Sequence, residues 1–103
     1  MAALVDLDQA RIERALERRA RYRYVRPRVL AEPEGFRIVS PNCSRSVQAD
    51  GAEIDIARLL RRAGHWELQS RDHDAGRWLH AASGPLPELL RLLALDPSRL
   101  FWL

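Results

Sequence analysis

The sequence predicts an α+β domain: an N-terminal helix, an antiparallel sheet of four to five strands joined as hairpins, and a C-terminal helix. Three observations carry this. Apolar residues recur at helical spacing near both ends of the chain and alternate with polar ones between them. Gly, Pro and Asp breaks punctuate the alternating stretches. A chain of 103 residues, 47% hydrophobic and 30% charged, fits one modest core and not two, so residues 1–103 are read as a single domain. Runs of strands flanked by helices place the helices on one sheet face.

The first helix is expected from about Leu7 to Arg21. Asp6 or Asp8 serves as N-cap, and Gln9 stands three residues after Asp6 in a capping-box arrangement. At helical spacing Val5, Ile12, Ala15 and Leu16 fall on one side, while Arg11, Arg14, Arg18 and Arg21 form a second stripe over about 80° of arc. Pro27 ends any continuation. Arg21 to Val25 alternates and is rich in β-formers, which predicts a strand. The turn Glu32-Pro33-Glu34-Gly35 then sets Phe36 to Val39 as its hairpin partner.

Cys43 to Val47 is weakly strand-like, and Ala49-Asp50-Gly51 is a turn signal. Glu53 to Leu59 opens with apolar–polar alternation and is read as a strand, although its apolar run also fits the start of a helix. The clearest hairpin joins His65–Ser70 to Arg77–Ala81 through a loop over 71–76, making a cross-strand pair of Trp66 and Trp78 available. Pro87 to Leu95 is a helix with proline at a favourable first position and leucines nearly all round, interrupted by Arg91. Asp96-Pro97 closes it. The expected core comprises Ile12, Leu16, Phe36, Ile38, Ile54, Ile56, Trp66, Leu68, Trp78, Leu89, Leu90, Leu93 and Trp102.

Charge is unevenly spread. Residues 11–28 hold eight arginines against Glu13 and Glu17, a local charge of +6 within a total of +3. Such asymmetry points to an anionic partner. All 17 basic residues are arginine, a usage that GC-rich coding explains without phosphate recognition. No stretch reaches the ~20 apolar residues of a membrane span, and no basic start followed by an apolar run marks a secretory signal. One cysteine, Cys43, forms no internal disulfide. These features lead to the expectation of a cytoplasmic protein.

The layout resembles the domain-of-unknown-function family 3024, small bacterial proteins. The resemblance rests on Arg11-Ile12-Glu13 in the first helix, on Trp66-Glu67-Leu68 with the Arg71-Asp72 turn, and on Arg77-Trp78. It continues through the leucine helix Leu86 to Leu95 and the closing Asp96 with Phe101-Trp102, and is best after residue 53. It implies an α+β fold and brings no activity or catalytic residue with it.

Catalytic and metal chemistry find little footing. Cys43, His65, His73 and His80 lack the closely spaced pairs of zinc sites. Cys43 reads as a small buried hydrophobe before it reads as a nucleophile. Asp72 with Asp74, and Glu53 with Asp55, read as turn and strand-surface residues. The five glycines are scattered turn residues and form no phosphate loop. No enzyme, cofactor, metal or small-molecule substrate is expected, and no membrane partner.

Two binding surfaces are expected instead. The leucine helix and the apolar end, with Leu92, Leu95, Leu100, Phe101 and Trp102, offer more apolar surface than a small sheet needs. That favours a protein partner or a homodimer. The same end can alternatively fold back to plug the sheet. The second candidate is nucleic acid: Arg11, Arg14, Arg18, Arg21 and Arg23 for phosphates, with Tyr22 and Tyr24 to stack unpaired bases. A solvated arginine face with packed tyrosines produces the same pattern without a ligand.

Overall fold

The computed structural model describes residues 7–19, 26–41 and 53–102. Within them the order is α1 (Leu7–Leu16), β1 (Arg28–Glu32), β2 (Gly35–Pro41), β3 (Glu53–Arg62), β4 (His65–Asp72), β5 (Arg77–Gly84) and α2 (Leu86–Leu95). The five strands form one sheet in the order β1-β2-β3-β4-β5, each antiparallel to the next. This is the expected α+β architecture, with both helices packed on one face of a meander.

Turn chemistry fixes the register. Pro33-Glu34 joins β1 to β2 so tightly that Glu32 pairs Gly35. A Cβ at Gly35 would run into the carbonyl oxygen of Leu59, so only glycine lets the backbones approach this closely. Ala63-Gly64 joins β3 to β4, with Gly64 in the left-handed region at φ 75°. Gly76, at φ 67°, closes the turn between β4 and β5, where the Asp72 side chain accepts from the Ala75 N–H at 3.0 Å.

The strands alternate, so one face is apolar and one polar. Phe36 and Ile38 on β2, Ala57 and Leu59 on β3, and Leu68 on β4 face the helices. Ile12 and Leu16 of α1 and Leu86, Leu89, Leu90 and Leu93 of α2 close over them. Phe36 stacks on Trp66 with centroids 6.3 Å apart. Gln9 on α1 donates to the Val29 carbonyl on β1 at 3.2 Å, tying the first helix to the sheet edge.

Several expectations are corrected. The first helix stops at Leu16, short of Arg21. The N–H groups of Arg18 and Arg19 turn back to the carbonyls of Ala15 and Leu16, and the Arg19 side chain donates to the same Leu16 carbonyl at 2.6 Å, closing the helix end. The hairpin partner of β2 is Arg28–Glu32, because a two-residue turn requires strands that adjoin it. Residues 21–25, expected as that strand, and the stretch Cys43 to Val47 lie outside the described residues. The strand–helix ambiguity at Glu53 resolves as strand, running on to Arg62.

The pairing of Trp66 with Trp78 does not form. Trp66 pairs Gly84 and Trp78 pairs Arg71. Arg71 stands an odd number of residues from Trp66, so the two indoles lie on opposite faces of the sheet. Trp78 is therefore half-buried on the polar face, outside the core, while Ile54 and Trp66 pack at the core margin. The other expected core residues are buried.

Candidate functional site

The two faces of the domain treat their charges differently, and this contrast defines where a ligand can act. On the open sheet face, Arg37, Arg58, Gln69 and His80 lie in one cross-strand row. Adjacent arginines repel unless each has its own partner. Arg37 donates to Glu32 at 2.8 Å and to Asp55 at 2.6 Å. Arg58 donates twice to the side-chain amide oxygen of Gln69, at 2.9 and 2.7 Å. Arg58 and Arg71 also clamp the Trp78 ring, at 4.8 and 5.1 Å from its centroid.

Glu67 joins this network. It accepts from Arg62 at 3.0 Å and from Gln69 at 3.2 Å, and meets His80 Nδ1 at 2.9 Å. The His80 contact above all, with Gln69 and Arg62, holds its carboxyl down at about 2. Arg37 is shifted upward by Glu32 first and Asp55 second. His73 is lowered by burial and then by Arg71. The open face is a self-satisfied carpet of charge: its rings are covered and its carboxylates engaged.

The chain end also serves structure. Asp96 caps α2 in the left-handed region at φ 43° and is 1% exposed. Its carboxylate accepts from the N–H groups of Leu100 at 2.7 Å, Phe101 at 3.2 Å and Trp102 at 2.9 Å. The Trp102 indole donates to the Leu93 carbonyl at 2.8 Å, and Arg19 lies 5.0 Å from the centroid of its ring. The apolar end thus folds back and plugs the helical layer. Of the residues expected at an interface, Phe101 and Trp102 are buried in the chain's own core. Leu92, Leu95 and Leu100 stay on the surface, at 40%, 53% and 48% exposure.

Those leucines border two depressions. Leu92 and Leu100 flank a shallow one of about 150 Å³ beside Ala81, Pro97 and Ser98, where Asp96 is the one charged residue among the described ones and is itself buried. Leu95 borders a larger groove of about 470 Å³ between α1 and α2. Its floor is Ala15, Leu86, Leu90 and Ala94, and its rims carry Arg11, Arg14, Arg18 and Arg91. Arg11 meets Asp8 at 3.5 Å. Arg14, Arg18 and Arg91 make no ion pair among the described residues.

The expected basic stripe is therefore brought together in part. Arg11, Arg14 and Arg18 share the groove, and Arg91 joins them from the opposite helix. In the sequence Arg91 is the break in the leucine helix, and no local pattern links it to the stripe. Arg21, Tyr22, Arg23 and Tyr24, and Cys43, lie outside the described residues. His65 contacts the Ala63 carbonyl at 3.0 Å and His80 contacts Glu67. Among the described residues no three His, Cys, Asp or Glu side chains gather as a metal site. Nor is any helix there long and apolar enough to cross a membrane.

The family model described as "Domain of unknown function (DUF3024)" matches residues 2–103. No curated protein and no solved structure matches the chain.

Proposed function

The chain belongs to the DUF3024 family, and we propose that it is a non-catalytic cytoplasmic interaction domain that pairs with a second copy of itself. The pairing runs along the leucine edge of α2 and the residues after it. What supports the reading is one observation. Leu92 and Leu100 remain exposed around a depression that no exposed charged side chain lines among the described residues, after Phe101 and Trp102 have folded inward. A neutral apolar surface can meet its own copy in an isologous contact without opposing like charges. Leu79 on the edge strand β5 adds a further exposed apolar side chain on the helix side of the sheet.

The non-catalytic part of the reading is supported by how the polar groups are used. Glu67, Asp55, Asp72, Asp96 and His80 each hold another part of the chain. The cytoplasmic setting fits a chain whose one cysteine has no partner for an internal disulfide. The test is sedimentation velocity over a concentration series, with a Leu92→Glu, Leu100→Glu variant alongside. The wild-type protein should shift from monomer to dimer, and the variant should remain monomeric with the melting temperature of the dilute wild-type monomer. A wild-type monomer at every concentration removes the reading.

A further inference from the structure

We infer that the groove between α1 and α2 docks an acidic amphipathic helix from a partner protein. The groove is separate from the neutral leucine edge and does not depend on self-association. Arg11 and Arg14 stand one turn apart on α1, Arg18 follows from the turn after it, and Arg91 faces them from α2. Three of these four guanidinium groups have no carboxylate partner among the described residues, whereas Arg37, Arg62 and Arg71 on the sheet face all do. Between the rims lies an apolar floor, with Leu90 at its base and Leu95 half-exposed at one side.

This combination selects its occupant. A second copy, entering head-on, would set four arginines against four and be repelled. A small inorganic anion would satisfy the rims and leave the floor wet. Nucleic acid would supply phosphates, but among the described residues no aromatic ring lines the groove for its bases to stack on. A helix with leucine-type residues at i, i+3, i+4 and i+7 and Asp or Glu beside them satisfies floor and rims together. On α1 itself Glu13 and Glu17 point away from the groove at helical spacing, so they do not neutralise it.

The test is fluorescence anisotropy with a labelled Leu/Glu amphipathic peptide of about 18 residues, long enough to hold helical form. Its scrambled counterpart and a single-stranded oligonucleotide of equal charge are the comparison probes. The amphipathic peptide should bind best, and Arg14→Glu, Arg18→Glu and, separately, Arg91→Glu should each weaken it about tenfold or more. Leu95→Ala should weaken it at constant charge. The substituted side chains are exposed, so thermal melts should be unaltered. Equal binding of the scrambled peptide, tighter binding of the oligonucleotide, or affinity unchanged by the arginine variants would each overturn the inference. Self-association of the wild-type protein is measured separately and is untouched by any of these results.

Discussion

Replacing Asp96 with alanine should cost this small domain a large part of its stability. The carboxylate accepts from three successive N–H groups while lying 1% exposed. Leu100 is 48% exposed, so water can take over its N–H. Phe101 and Trp102 are buried, and their N–H groups would be stranded at about 1–2 kcal/mol each. Looser seating of the Trp102 indole against Leu93 adds to this, giving a loss of about 3 kcal/mol from a total on the order of 5–15 kcal/mol. Asp96→Asn keeps one acceptor oxygen and should lose about half as much. Urea titration followed by far-UV circular dichroism measures both, with the slope of the transition held constant. If Asp96→Ala falls within about 0.5 kcal/mol of wild type, the carboxylate is not what pins the chain end.

Three further predictions concern the sheet and its turns. Gly35→Ala should lower the melting temperature sharply or prevent folding, because the added methyl meets the Leu59 carbonyl and displaces β2 from β3; thermal unfolding reads this, and a shift under a few degrees would contradict it. Glu67 should make the domain acid-sensitive. Its folded value of about 2 lies below the ordinary 4.5, so its contribution is complete above 4.5 and is lost as pH falls toward 2. His80 is 57% exposed, which screens the pair, so the loss should be about 1–2 kcal/mol. Glu67→Gln should flatten stability against pH in that window. His73, held below 6.5 by burial, acts in an earlier window: stability falls as pH drops below 6.5, where only the unfolded chain takes up the proton readily.

Much of the fold was legible because local signals agreed with one another. Pro33-Glu34, Ala63-Gly64 and Gly76 each mark a turn, and alternation between them marks strands with one buried face. The leucine helix announced itself through Pro87 and its periodicity. What local pattern could not supply was parity across a turn: Trp66 and Trp78 looked like partners until the register placed Arg71 opposite Trp78. The first helix looked longer than it is because a run of arginines has good helix propensity. That propensity is overridden where Arg19 folds onto Leu16 and Trp102.

The candidate sites were legible as ingredients and not as places. The stripe Arg11, Arg14 and Arg18 follows from helical spacing, but Arg91 joins it only once α2 lies beside α1. The sequence left the apolar end open to two readings, a plug with Trp102 in the core or an interface. Only the packed structure divides it into buried Phe101 and Trp102 and exposed Leu92, Leu95 and Leu100. One clue was present. An aspartate at the C-terminal end of a helix opposes the helix dipole, and Asp96 stands there because its carboxylate holds the returning chain. The clamp of Arg58 and Arg71 on Trp78 likewise needs three strands in register before it exists.

Self-association along the leucine edge is tested most directly by cross-linking. With Cys43→Ser as background, Leu100→Cys places a thiol on the proposed seam and Arg62→Cys places one on the charged sheet face. A short bifunctional maleimide should give a covalent dimer with the first and none with the second. A monomer in both cases, or cross-linking through Arg62→Cys instead, would contradict the account.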